Sequence, residues 1–385
     1  MNFILFDDNR EDFLPLTFTR PVSEIRLGIL TIREKWEKYL GVNFSYSSEK
    51  YLQEKYPFKK TSDNFWINGS VCPSLELVKA IQALEPKQTL LGECGIIAFR
   101  SSGQKIPKNV ITYEGDVLFI EKIWHIFEKN HTFIKSDFEL LTSGRKSQPI
   151  SQTNGVTNSE NIFIEEGAVV EHSILNASTG PIYIGKNAEI MEGSIVRGPL
   201  AMCEHSVLKM GAKIYGATTL GPYCKVGGEV NNSVLLGYSN KGHDGFLGNS
   251  VLGEWCNLGA DTNNSNLKNN YAEVKLWSYL SDKFENTGLQ FCGLIMGDHS
   301  KCAINTSFNT GTVVGVSSNI FGAGFPRNFV SSFTWGGSSG YTTYKLNKVF
   351  EVAEKVMARR SLEFNQIEKD ILSKVFELTK SYRKD

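Results

Sequence analysis

From Ile184 to Val226 an aliphatic residue or methionine falls at every sixth position: Ile184, Ile190, Val196, Met202, Leu208, Ile214, Leu220 and Val226. Four places after each comes a second, mostly small residue: Ala188, Ser194, Leu200, Ser206, Ala212, Thr218, Cys224 and Val230. A helix wants apolar residues every three or four positions, and a half-buried strand wants alternation. A period of six fits neither. It fits a chain that makes a short strand, turns a corner and repeats, with three edges closing one coil. The same beat returns at Phe246, Leu252 and Leu258, and again at Met296, Cys302, Phe308, Val314 and Ile320. The pattern predicts an all-β, left-handed parallel β-helix of hexapeptide repeats over residues 162–325. Its register slips near Asn176–Pro181 and between Val226 and Val234, where short loops are expected. A longer excursion runs from Thr262 to Gly293.

Ahead of the solenoid, residues 1–145 read as an α/β domain with a parallel sheet. Phe3 to Phe6, Val42 to Tyr46, Phe65 to Ile67, Leu90–Leu91 and Ile96 to Phe99 have the composition of short strands. Helical stripes cover Gly28 to Leu40, ended by Gly41, and Leu75 to Leu84, capped by Ser74. A third helix is expected over Ile120 to Lys129. Residues 146–161 are rich in Ser, Gln, Asn and Thr and read as a linker. Residues 341–385 form a helical tail, with Ile367, Ile371, Leu372, Val375 and Phe376 as one stripe that packs on the solenoid or a neighbouring subunit.

Charge narrows the range of partners. The 41 basic and 41 acidic residues cancel and are dispersed, so neither nucleic acid nor a membrane surface is expected. No apolar stretch reaches the roughly 18 residues a membrane span needs. The N-terminal apolar run stops after Phe6 without a basic flank, unlike a signal peptide. Seven cysteines lack paired spacing, which points to a reducing compartment and a cytoplasmic protein.

The densest polar cluster, Gly237 to Gly248, interrupts the aliphatic beat and contains His243, one of six histidines. An imidazole in a Gly-rich polar loop reaches solvent and titrates near neutrality, as a general base requires. The same residue also reads as a structural hydrogen bonder.

The run from Lys225-Val226-Gly227-Gly228-Glu229 through His243 to Asn257-Leu258-Gly259-Ala260-Asp261-Thr262 and Asn266-Leu267-Lys268 resembles the acetyltransferase half of the GlmU family. The likeness is closer to that family's archaeal and Bacteroidetes-type relatives. Such enzymes join a sugar-1-phosphate nucleotidyltransferase domain to a left-handed β-helix that acetylates an amino-sugar phosphate from acetyl-CoA. The resemblance implies His243 as general base. It implies Glu229, Asn231, Lys241, Asn257, Asn266 and Lys275 as substrate-binding residues. Phe246 and Leu267 stand where the family has Tyr, and Asn231 where it has Lys, so the acceptor pocket is altered. Packing of flat β-helix faces around a threefold axis would make the protein a homotrimer.

Leu14-Pro15-Leu16-Thr17-Phe18-Thr19-Arg20-Pro21 is similar to the segment that follows the nucleotide loop of sugar nucleotidyltransferases. The Gly-rich loop that should precede it is replaced by Asp7-Asp8-Asn9-Arg10-Glu11-Asp12. Asn68-Gly69-Ser70 stands where that family places its metal-binding Asp. Arg10 and Arg20 are the residues left to grip a nucleotide, with Arg26 a further cation, and Mg²⁺ is required only if this domain turns over. Three functions follow: an acetyl-CoA-dependent N-acyltransferase acting on a sugar phosphate, an active sugar-1-phosphate nucleotidyltransferase, or a sugar-nucleotide-binding scaffold without turnover.

Overall fold

The computed structural model describes residues 2–93 and 95–383. The chain separates into two compact units. The first holds Met1–Phe13, Thr19–Ile25 and Leu30–Ile123; the second holds Leu14–Phe18, Arg26–Ile29 and Trp124–Asp385.

The first unit is built on a six-stranded sheet: β1 (Asn2–Phe6), β2 (Ser45–Ser47), β3 (Asn64–Asn68), β4 (Gln88–Gly92), β5 (Gly95–Ser101) and β6 (Asn109–Thr112). Their order is β2-β1-β3-β5-β4-β6. The expected parallel arrangement holds across β2, β1 and β3. It reverses at β5, because the tight connection between Gly92 and Gly95 can join only antiparallel strands. Helix α1 (Ile32–Leu40) begins four residues later than its apolar stripe suggested. Thr31 and Glu34 close a capping box there: Glu34 N–H donates to Thr31 Oγ1 at 3.1 Å, and Thr31 N–H donates to Glu34 Oε2 at 2.7 Å. Gly41, at φ +66°, ends the helix. Its inner face buries Trp36, whose indole N–H donates to the Val71 carbonyl at 2.8 Å. Helix α2 (Leu75–Gln82) starts at Ser74, as expected, with Leu77 N–H on the Ser74 hydroxyl.

The second unit contains a parallel β-solenoid with three faces. The first face has nine strands, from Ile162–Ile164 to Phe329–Val330. The second runs from Val169–Val170 to Thr334–Gly337, and the third from Gly155–Thr157 to Phe246–Gly248. Register explains the six-residue beat. Ile184, Met202 and Leu220 pair in sequence on the first face; Ile190, Leu208 and Val226 on the second; Val196, Ile214 and Val230 on the third. Each of these nine is at most 1 % exposed. Burying a side chain of this size contributes about 1.5–3 kcal/mol, so the stacked columns dominate the solenoid's stability. The residues four places on, from Ala188 to Val230 and mostly small, are buried as well.

Three expectations are corrected here. Between Val226 and Val234 no loop protrudes: Val226 pairs with Lys241, fifteen positions on, where Leu208 pairs with Val226 at eighteen. The coil is three residues short, and the slip in the beat is a deletion. The segment read as linker already contributes a third-face strand, Gly155–Thr157, and the solenoid continues beyond residue 325 through Phe329–Val330 and Thr334–Gly337. The helix expected at Ile120–Lys129 lies further along, as α3 (Asn130–Thr142) after one short turn at His125–Glu128. Asn130 holds α3 down: its amide accepts from Gly28 N–H at 2.8 Å and donates to the Ala217 carbonyl at 2.9 Å. Gly28, at φ +70°, has no room for a side chain, since a Cβ there would lie 2.6 Å from the Phe133 backbone.

At the corner between the first and second faces, successive coils place a residue in the left-handed region. His205, Tyr223, Tyr238, Trp255, His299 and Phe333 all have φ between +53° and +62°. The first five rings stack as a ladder, with centroids 4.7 Å apart for His205–Tyr223, 5.2 Å for Tyr223–Tyr238, 4.3 Å for Tyr238–Trp255 and 6.1 Å for Trp255–His299; Ser317 takes the next corner, before Phe333. The tail forms α4 (Leu346–Ala358) and α5 (Gln366–Leu378). The latter buries Ile371, Leu372 and Val375, and Phe376 meets Phe333 edge to face at 5.0 Å, so the tail lies against the solenoid.

Candidate functional site

Lys241 occupies a core position. It falls in the column of Leu208 and Val226 and is 2 % exposed. A lysine among aliphatics needs partners for its ammonium. Nζ finds them by turning along the prism, donating to the Gly227 carbonyl at 3.0 Å and the His243 carbonyl at 2.6 Å. Burial pushes its pKa down to about 8, against the weaker pull of Asp244 and Asp261. The expectation that Lys241 contacts substrate is therefore corrected: its ammonium is spent inside the solenoid, bracing the next loop.

That loop carries His243, which is exposed at the corner between Asn240–Lys241 on the second face and Phe246–Gly248 on the third. Its backbone is held on every side. Below lies Gly228 at φ +69°, where a Cβ would come within 2.8 Å of the His243 carbonyl and Asp244 Cα. Above, Asp261 N–H donates to the Asp244 carbonyl at 3.1 Å. Asn263 Oδ1 accepts from Phe246 N–H at 2.8 Å, and Asn264 Oδ1 accepts from Gly248 N–H at 2.9 Å. The imidazole itself makes no hydrogen bond among the described residues. A fixed backbone with a free ring is what a general base needs before its substrate arrives.

The third face supplies the neighbours. Glu229 pairs with Phe246 and Asn231 with Gly248. Glu229 Oε1 accepts from the Tyr215 hydroxyl at 2.6 Å, which raises the phenol's pKa. Asn266 donates to Asn249 Oδ1 at 2.8 Å. A side chain on Gly248 would strike both the Phe246 ring and Asn266 Nδ2, so those two groups converge over the glycine. Glu229 thus stands at the end of the third face that His243 leads into, while Asn231 and Asn266 stand at its other end, beside Gly248 and Asn249. Asn257 stands on the second face, between Asn240 and Lys301. Lys275 is apart from this group, exposed in the hairpin Lys275–Ser278/Lys283–Asn286, with its backbone beside Gly311. Tyr215, Asn263 and Asn264 were not singled out from sequence. Their signal is positional and appears only once the short coil sets which residues stack.

In the first unit, the loop after β1 folds its acids onto itself. Asp7 accepts from Val22 N–H at 2.9 Å and from the Ser48 hydroxyl. Burial raises its carboxyl pKa to about 6, despite the lowering effect of those bonds and of Arg10. Asp12 pairs with Lys122 at 2.6 Å, and Asn68 donates to Asp8 at 3.4 Å. Arg10 is drawn sideways, donating to the Tyr51 hydroxyl at 2.7 Å with Glu49 at 3.7 Å. Arg20 is buried, 4 % exposed. Among the described residues no three His, Cys, Asp or Glu side chains gather to hold a metal. With Asn68 and Ser70 at the end of β3, this donor set does not fit Mg²⁺, which wants carboxylates. The six described cysteines are all buried; the seventh, Cys94, lies outside the described residues. No helix of the described residues is long and apolar enough to cross a membrane.

Residues 3–146 match the family model of sugar nucleotidyl transferases. No curated protein matches the chain. Among solved structures, Arabidopsis UDP-N-acetylglucosamine acyltransferase is 13% identical, covering 61% of this chain and 82% of that one, with a TM-score of 0.30. A single-residue mutant of AntD, an N-acyltransferase from Bacillus cereus in complex with dTDP-4-amino-4,6-dideoxyglucose and coenzyme A, is also 13% identical. It covers 54% of this chain and 86% of its own, with a TM-score of 0.17. Likenesses of that size carry no chemistry across.

Proposed function

We propose that the protein is a transferase of nucleotide-sugar metabolism whose solenoid moves an acyl group from acetyl-CoA to the amine of an amino-sugar phosphate. The observation that carries this reading is the exposed His243 on a loop braced from within by Lys241. In that reaction the amine nitrogen attacks the thioester carbonyl while His243 takes the proton the amine must lose. The carbon–sulfur bond then breaks, and the coenzyme thiolate leaves with a proton. Glu229, beside Phe246 on the third face, and Asn266, over Gly248, carry groups that suit the hydroxyls of a sugar. Asn257, on the adjoining face, and Lys275, in the hairpin, complete the residues assigned to substrate. A homotrimer is part of the proposal, since Ile174 and Ile195 are paired on the third face and about half exposed, at 51 % and 49 %.

Thiol release from acetyl-CoA with glucosamine-1-phosphate tests the reading. His243→Ala should lower the rate by about 10²–10⁴-fold with the fold intact. Equal rates in both proteins would remove the role assigned to His243.

A second reading is favoured by the family match over residues 3–146, namely nucleotidyl transfer to a sugar-1-phosphate by the first unit. Pyrophosphate release with each nucleoside triphosphate plus a sugar-1-phosphate is its direct test. The acids after β1 and the missing carboxylate at Asn68 and Ser70 weigh against it.

A further inference from the structure

Four cations crowd the second face of the solenoid. Lys225 stands outward between Val207 and Asn240, and Lys209 follows the next strand below. Arg359 and Arg360 arrive from the end of α4. Arg360 Nη2 lies 3.4 Å from both the Tyr223 carbonyl and Asn240 Oδ1. Among the described residues, none of the four reaches a carboxylate at ion-pair distance; the Lys209 ammonium touches only the Met191 sulfur, at 3.8 Å. Burial and then the proximity of Arg360, Lys209 and Arg359 hold the Lys225 ammonium below its ordinary pKa, with Glu189 opposing. The chain as a whole has no excess of charge to explain this gathering, because its basic and acidic residues are equal in number.

We propose that this patch binds the diphosphate group of a small molecule. The geometry suits that anion: a guanidinium offers paired donors in a plane, while lysines act as point charges that follow whichever oxygens remain. Asn240 adds an amide at the centre. His243 lies three positions beyond Asn240, around the corner that ends the strand and so within about 10 Å along the chain, and a ligand anchored here can extend toward the exposed imidazole. Coenzyme A and nucleotide sugars both contain a diphosphate. The site goes beyond the acyl-transfer reading, since it requires binding only.

Titration calorimetry on the full chain, at low and physiological salt, provides the test with inorganic pyrophosphate, ADP, coenzyme A and UDP-N-acetylglucosamine as probes. The double variant Lys209→Ala/Lys225→Ala should weaken diphosphate binding by about 10–100-fold, or 1.4–2.7 kcal/mol, with an unchanged melting temperature. Lys225→Arg should bind as the parent does, and so should Lys186→Ala, whose ammonium faces Glu166 elsewhere. Tighter binding of coenzyme A than of the sugar nucleotide identifies the acyl donor as the source, and the reverse order identifies the sugar. His243→Ala should retain binding, which separates this site from turnover. Absence of heat with every diphosphate, or equal affinity in the double variant, overturns the proposal; equal weakening by Lys186→Ala does so too, by exposing a nonspecific charge effect.

Discussion

The ammonium of Lys241 donates to the main-chain carbonyl of His243 at 2.6 Å, from within a column otherwise filled by aliphatic side chains. The two residues face opposite ways, one into the prism and one into solvent. Lys241→Met should keep the solenoid, since methionine fills the same volume, but release the loop. Acyl transfer is expected to fall by about tenfold or more, as a misplaced base does, while the far-ultraviolet spectrum stays unchanged. Its pH signature is separate. The folded pKa, near 8, lies below the ordinary 10.5. Between those values the unfolded chain binds more protons, so this group makes the parent gain stability as pH rises from 8 to 10.5, with no change below 8. Melting temperatures of parent and variant, compared point by point, should follow that trend. A difference that is flat from pH 8 to 10.5 would contradict it.

Asp7 titrates in the opposite sense for stability. Its folded pKa is raised to about 6 from 3.8 by burial. Between those values the folded chain holds the proton more tightly, so this carboxyl favours folding at low pH and loses that contribution as pH climbs from 4 to 6. Asp7→Asn cannot titrate. The variant's melting temperature relative to the parent should rise across pH 4 to 6 and stay level above it. No drift across that window would mean that the carboxylate is as well solvated folded as unfolded.

Trp255 combines a bulky side chain with φ +62°, between Tyr238 at 4.3 Å and His299 at 6.1 Å. Left-handed backbone costs a non-glycine residue about 1–2 kcal/mol. Removing the ring to alanine should cost about 3–5 kcal/mol in chemical denaturation. Glycine at this position should be less damaging than alanine by about 1 kcal/mol, because it adopts the corner freely. That ordering is the reverse of the usual one within a strand. Alanine proving the better tolerated of the two would show that the corner carries no strain.

The solenoid was legible because each coil repeats one physical constraint. A six-residue beat of aliphatics has no other way to bury itself, and its residues from Ile184 to Val226 are all inside. The capping signals at Thr31, missed, and Ser74, found, show how far local chemistry reaches: one hydroxyl marks a helix start only where its backbone is free to turn. The slip after Val226 was visible as a break in the beat. Whether residues had been added or removed was not, because a loop and a deletion disturb a period alike.

The amino-acid sequence alone determined the three-faced prism, the α/β first half, and a histidine in a polar loop at the prism's edge, since periodicity and residue type are properties of the chain. Tertiary stacking decided what those residues do. The short coil carried Lys241 into the column of Val226, turned a surface cation into an internal brace, and brought Arg360 beside Lys225 from more than a hundred residues away. Such outcomes depend on which coil lies over which, and that register is set by the summed packing of all the coils.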